Sequence, residues 1–378
     1  MIKVVAHNII SPLGFSSIDN FRRMAAGDSM LSLHHNLFGL SEPFCASLLD
    51  RLEISSRFDA LFSHDLDLTF FEKLAILSAH YAIVDADLDP AKDDVIFILS
   101  TTKGNVDLLA DNPDDPRCFL AESARRIARS FGNMNTPIVI SNACISGVCA
   151  QIAAVRELMF GGFRHAIVIG CDILSRFIIS GFQSFKALSL EPCRPFDADR
   201  SGLNLGEAAG SIVFNAVDDT NAENVWHFIA AANHNDANHI SGPSRTGEGS
   251  FRVLSDILSM VDPNDIAFVN VHGTATLYND EMESIALHRA GLDDIPVNGF
   301  KGYYGHTLGA AGVIETILSM LAVDNNMVPA TRGFNSFGTS FHPSLSNIAR
   351  QSDRQTFIKI LSGFGGSNAG IALSKCAL

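Results

Sequence analysis

This chain is short of the features that mark several protein classes. Its 378 residues include one Trp and four Tyr, and its 27 Lys and Arg are outnumbered by 41 Asp and Glu, a net charge of −14. A general nucleic-acid binder neutralises phosphates with cations, so this balance argues against that class. Seven cysteines (Cys45, Cys118, Cys144, Cys149, Cys171, Cys193 and Cys376) show no close paired spacing. A zinc site or disulfide framework is therefore not expected, and a reducing compartment, the cytosol, is. No apolar run approaches the ~20 residues of a membrane span. Met1–Ile10 alternates apolar with small or polar residues and breaks at Ser11-Pro12-Leu13-Gly14. It reads as a first strand rather than a signal peptide.

What is abundant is hydrophobic content, 47% of the chain, enough for one large or two smaller cores. Apolar runs at 95–100, 137–142, 166–170, 210–214, 267–272, 297–299, 357–362 and 370–373 read as buried strands. Helical patterns at 72–86, 119–131, 146–161, 279–290 and 310–324 alternate with them, which predicts an α/β fold. The halves resemble each other weakly. Ser100-Thr101-Thr102-Lys103-Gly104 matches His272-Gly273-Thr274-Ala275-Thr276 after a strand, Asn142-Ala143-Cys144 matches the Gly305-His306 turn, and 167–170 matches 358–361. We therefore expect two pseudosymmetric halves, 1–218 and 225–378, with Cys144 in the first and both histidines and a lysine in the second. The seam is placed in the polar stretch 217–224.

Three segments carry chemistry. Cys144 follows a strand and opens a helix, so the dipole and free N–H groups would favour thiolate and supply oxyanion donors; buried cysteines without any such role are common, and Cys149 reads as one. His272 and His306 each end a strand beside glycine, and small residues at 309–312 allow close approach of substrate. Lys301 could hold charge near the imidazoles. Asp280, at the start of the following helix, reads as a capping residue. The glycine-rich run 362–370 reads as a loop rather than a plain strand, and no Lys-Ser/Thr follows to make it a phosphate loop.

These motifs, with Ala187-Leu188-Ser189, Arg194-Pro195-Phe196-Asp197 and Gly206-Glu207-Ala208-Ala209-Gly210, resemble those of the β-ketoacyl synthases of fatty acid and polyketide assembly, in the same order from the first strand to Leu373. The resemblance implies a thiolase-like α/β fold of two halves in five αβαβα layers. It implies an acyltransferase in which Cys144 takes an acyl group from an acyl carrier protein, its N–H and that of Phe364 forming the oxyanion hole. His272 and His306 would stabilise the enolate of a decarboxylating malonyl unit. Lys301 would support His306, Glu283 would hold Lys301, and Thr274 and Thr276 would bind the phosphopantetheine arm. Phe364 would also gate the acyl pocket. No metal or free cofactor is expected, since the pantetheine arm belongs to the carrier protein, and a homodimer or a heterodimer with a related subunit is.

The Cys-His-His set resembles the elongating type of synthase. A malonyl-decarboxylating or priming variant and an idle chain-length partner are the competing readings. The chain departs from the family in a short segment at 104–119, in one aromatic missing before Phe364, and in bulky Tyr303 and Tyr304. These departures resemble a specialised pathway of the aryl-polyene kind. Arg125, Arg126 and Arg129 form the best candidate for carrier docking, against the plainer reading of a solvated helix face.

Overall fold

The computed structural model describes residues 1–62, 67–216 and 225–375. The expected seam at 217–224 and Cys376 lie outside them. Ten strands form the main sheet: β1 (Ile2–Ile10), β2 (Val95–Ser100), β3 (Ile138–Ile140), β4 (His165–Asp172), β5 (Ala208–Ala216), β6 (His227–Asn235), β7 (Ile266–Asn270), β8 (Val297–Asn298), β9 (Thr356–Gly363) and β10 (Ser367–Ser374). Their order is β8-β7-β9-β10-β6-β1-β5-β4-β2-β3.

That order is a palindrome about the β6–β1 junction. In each half the outer three strands are parallel and the next two antiparallel, so β2 corresponds to β7, β3 to β8, β4 to β9 and β5 to β10. Within the sheet the halves meet through a single Lys3–His227 pairing and the bond from Val4 N–H to the Trp226 carbonyl, 2.9 Å. The repeat read in the sequence is thus present in the strand order.

Among the helices that build the other layers are α1 (Phe70–Asp85), α2 (Leu120–Ser130), α3 (Ser146–Phe160), α4 (Glu248–Leu258), α5 (Leu277–Arg289) and α6 (Ala311–Asp324). α3 and α6 lie back to back in the middle layer, while α1 covers the first half's outer face and α4 the second's. Five αβαβα layers result, as expected for a thiolase-like fold. Residues 143–160 are apolar enough to cross a bilayer by length and composition. Here 56% of them are buried inside the protein, because a central-layer helix meets apolar neighbours on several sides.

Local sequence accounts for the ends of these elements. α1 starts two residues earlier than its apolar pattern because Thr69 and Glu72 form a capping box: Glu72 N–H donates to the Thr69 hydroxyl (3.2 Å) and Thr69 N–H to the Glu72 carboxylate (2.9 Å). α3 and α6 approach so closely that a Cβ on Gly312 would lie 2.5 Å from the Val148 nitrogen. The two helices that follow Cys144 and His306 therefore touch backbone to backbone. The glycine run 362–370 departs from the expected loop. Ser362-Gly363 ends β9, Ser367–Gly370 starts β10, and only residues 364–366 turn, using positive φ at Gly365 (+88°) and Gly366 (+76°).

Candidate active site

Cys144, His272 and His306 arrive from three different turns. Cys144 sits between Ala143, held at φ +46°, and Ile145, the N-cap of α3. His272 lies two residues past β7, and His306 follows Gly305 on the turn leading to α6. The cysteine sulfur and a ring nitrogen of each histidine lie within 4.8 Å of one another. The imidazoles meet edge to face, centroids 5.0 Å apart at 83°. All three residues line a cavity of about 440 Å³ together with Thr274, Thr276 and Phe364. The Thr274 and Thr276 hydroxyls are 2.9 Å apart there.

The thiol departs from the expectation of a resting thiolate. Burial pushes Cys144 up to about 11, outweighing Lys301 and the backbone N–H groups of Cys144 and Phe364, which all pull it down. Desolvation exceeds what the helix end supplies, so Cys144 rests as a thiol. Those two N–H groups, one from each half of the fold, nevertheless converge on the sulfur. An oxyanion formed there would meet the same donors.

Both histidines are held well below the ordinary imidazole range, chiefly by burial and then by Lys301. They are neutral near pH 7. His306 Nδ1 accepts the Leu308 N–H at 3.1 Å, which assigns the ring hydrogen to Nε2, an atom with no partner among the described residues. That tautomer also bears on metal binding. A cation would need the Nε2 lone pair, which the Leu308 bond commits to hydrogen, and it would sit beside the buried Lys301. The set suits hydrogen-bond donation to an oxyanion better than metal ligation.

Lys301 is fully buried behind the rings. Its Nζ donates to the His272 carbonyl (2.7 Å) and to Glu315 of α6 (2.7 Å). The expected role of Glu283 is corrected by this geometry. Glu283 accepts from the backbone N–H groups of His272 (2.6 Å) and Gly273 (2.8 Å) and from Asn279 (2.8 Å), so it braces the histidine turn instead of the lysine. Asp280 does not cap α5. It accepts from the Phe196 N–H (2.7 Å) and the Thr274 N–H (3.0 Å), tying two loops together. Burial raises Asp280 to about 6 and Glu283 to about 7.

Phe364 is 38% exposed at the tip of the β9–β10 turn, against Phe182 and Phe185. Tyr303 and Tyr304 are buried and outside the cavity lining; the Tyr303 hydroxyl donates to the Ala330 carbonyl at 2.8 Å. Of the arginine cluster, Arg125 pairs with Glu122 (2.7 Å) and Arg126 with Glu72 (3.3 Å).

Residues 52–220 match the family "Beta-ketoacyl synthase, N-terminal domain" and residues 228–335 "Beta-ketoacyl synthase, C-terminal domain". The chain belongs to the β-ketoacyl synthase family. The resemblance read from the motifs is thus correct. Among relatives of this family, 3-oxoacyl-[acyl-carrier-protein] synthase 2 of Rhizobium meliloti is 31% identical over 62% of this chain and 60% of its own length. The first relatives are matched over about 60 to 67% of their lengths. The synthase 2 of Vibrio cholerae is 25% identical and matches over 99% of both chains. A ketosynthase in complex with its chain length factor, from Xenorhabdus doucetiae, shares the fold at TM-score 0.85 with 23% identity, over 99% of this chain and 97% of that one.

Two ketosynthase-core residues escaped the sequence reading. Glu315 is the sole acid within the apolar helix α6 before its last residue, and Lys359 interrupts the apolar strand Phe357-Ile358-Lys359-Ile360-Leu361. Both are fully buried and hydrogen-bonded to each other. A lone charge inside an apolar core pattern was the available signal.

Proposed function

We propose that this protein catalyses the decarboxylating Claisen condensation of an acyl thioester with a malonyl unit carried on an acyl carrier protein. The observation that carries the reading is the convergence of one thiol, two neutral imidazoles and two backbone N–H groups on a single cavity.

The Cys144 sulfur attacks the acyl carbonyl, and the N–H groups of Cys144 and Phe364 take up the oxyanion. The donor's pantetheine thiol leaves with the proton lost by Cys144. Malonyl thioester then enters with its carbonyl oxygen toward His272 and His306. Loss of carbon dioxide leaves the electron pair as an enolate, held by hydrogen bonds from neutral rings. The enolate carbon attacks the acyl-cysteine carbonyl, a carbon–carbon bond forms, and the cysteine sulfur departs and recovers a proton. Thr274 and Thr276 bind the pantetheine arm, which the carrier protein supplies. Phe364, with Ser362 rather than a second aromatic before Gly363, gates the acyl pocket.

The partners proposed are the carrier protein and a second synthase subunit. β3 lies at the sheet edge with its residues partly exposed, so either a second copy or a related chain could extend the sheet there. The cytosol is the proposed location. Intact-protein mass spectrometry of wild type and Cys144→Ala, with a panel of acyl carrier proteins followed by malonyl carrier protein, tests the reading. An acyl increment confined to wild type and discharged as a β-keto product supports it. Decarboxylation without any increment would favour the priming variant, and silence in both steps would sink the condensing role.

A further inference from the structure

The site holds a second buried lysine that the proposed chemistry above does not use. Lys359 lies in β9, paired in register with Asn270 of β7. The repeat relates Ile358–Leu361 to Ile167–Gly170, so its counterpart in the first half is Val168, an apolar core residue. Where one copy of the repeat keeps an apolar side chain, the other places an ammonium with no exposed surface.

Its contacts are specific. Lys359 Nζ donates to the Val271 carbonyl at 3.1 Å and to one oxygen of Glu315, whose other oxygen takes Lys301 at 2.7 Å. Lys301 in turn holds the His272 carbonyl at 2.7 Å. Two ammoniums anchored on one carboxylate thus grip consecutive carbonyls, those of Val271 and His272, from behind the catalytic turn. Glu283 grips the N–H groups of His272 and Gly273. The peptide carrying His272 is fixed from both sides.

Stability alone does not account for this lysine. Replacing a buried ion pair by apolar groups of similar size is often neutral or stabilising. An apolar residue at 359 would also release Glu315 to pair with Lys301 alone. What the lysine adds is a second carbonyl anchor and one positive charge in excess of Glu315, close to both imidazoles.

We propose that Lys359 is a positioning residue for the histidine site: with Glu315 and Lys301 it locks the Val271-His272 carbonyls and adds positive charge beside both rings. The proposal rests on the enolate-stabilising role given to the histidines above. The charged or titratable groups facing Lys359 are Glu315 from α6, Lys301 from the turn 301–304, Glu283 from α5, and the two histidines. Burial lowers Lys359 to about 8 despite the pull of Glu315, so its own charge is present at neutral pH.

The experiment compares wild type, Lys359→Met and Lys359→Arg in malonyl carrier protein decarboxylation from pH 5 to 9, with Cys144 acylation measured alongside. Lys359→Met should slow decarboxylation at least about tenfold and move its acid limb up by about one pH unit, with acylation changed far less. Lys359→Arg should recover most of the rate. A merely structural lysine would change thermal stability and leave the acid limb in place, and that result overturns the proposal. Histidine side-chain NMR of the wild-type protein provides a readout that needs neither activity nor a folded variant. Titration of His272 or His306 near the ordinary imidazole value would overturn the proposal, and silence of both rings down to acid pH supports it. A wild type that neither acylates nor decarboxylates, with rings that stay neutral, would reject the proposed reaction and leave the electrostatic assignment standing.

Discussion

The Leu308 N–H donates to His306 Nδ1 across 3.1 Å, and this one bond fixes which face of the imidazole can serve the substrate. Nε2 must carry the hydrogen, so in the proposed reaction His306 acts as a donor rather than as a base. His306→Ala should lower malonyl decarboxylation by about 10² to 10³, the cost of removing one oxyanion donor. His306→Gln, which retains an N–H donor, should lie between Ala and wild type. Equal loss in both variants, measured as carbon dioxide release, would contradict the donor role.

The thiol at Cys144 should be slow to alkylate. Because burial pushes it up to about 11, its reaction with iodoacetamide should accelerate about tenfold per pH unit between 7 and 9, the slope of a rising thiolate fraction. Lys301→Met should slow the reaction at every pH, since Lys301 pulls the thiol down. Mass spectrometry of the Cys144 peptide gives both rates.

Acid should weaken the fold partly through the histidines. Their folded values lie below 6.5, so the stability they contribute is present above that unfolded value and lost as pH falls. Glu283 and Asp280 have raised folded values and act in the opposite sense, losing stability as pH rises toward about 7 and about 6. A double His272→Asn, His306→Gln variant should therefore lose less Tm than wild type between pH 7 and pH 5. Equal losses in a thermal melt series would refute the histidine contribution.

Glu283→Ala should act through the histidine turn. It removes acceptors for two buried N–H groups at 2.6 and 2.8 Å, and leaving such donors unsatisfied costs about 1–3 kcal/mol each. Chemical denaturation should show the destabilisation, and decarboxylation should fall more than Cys144 acylation.

Much of the fold was legible because the strands are apolar and bounded by breakers. The runs 95–100 and 357–362 sit within β2 and β9 almost to the residue, and the matching of 100–104 with 272–276 revealed the repeat. Cys144, His272 and His306 stood out because each combines a reactive side chain with a neighbouring small residue. The partners of the buried charges were not legible. Glu283 lies eighteen positions before Lys301 and Glu315 fourteen beyond it, and neither spacing marks one of them as the mate of Lys301. Only the packing of α6 behind the rings brings Glu315 there. Likewise, the helix end at Cys144 suggested a thiolate, and the depth of burial that overrides it is a property of the assembled layers, invisible in a local motif.

The proposed oxyanion donors of Cys144 and Phe364 come one from each copy of the repeat, and the helices behind Cys144 and His306 touch at Gly147 and Gly312. Neither copy contains the whole of the proposed site. If the chain arose by duplication, its half-length ancestor could have run the proposed reaction only as a pair of molecules pressed together, and fusion made that encounter permanent. Divergence could then give one copy the nucleophile and the other the histidines and the buried lysines, a division of labour that two identical subunits could not have held.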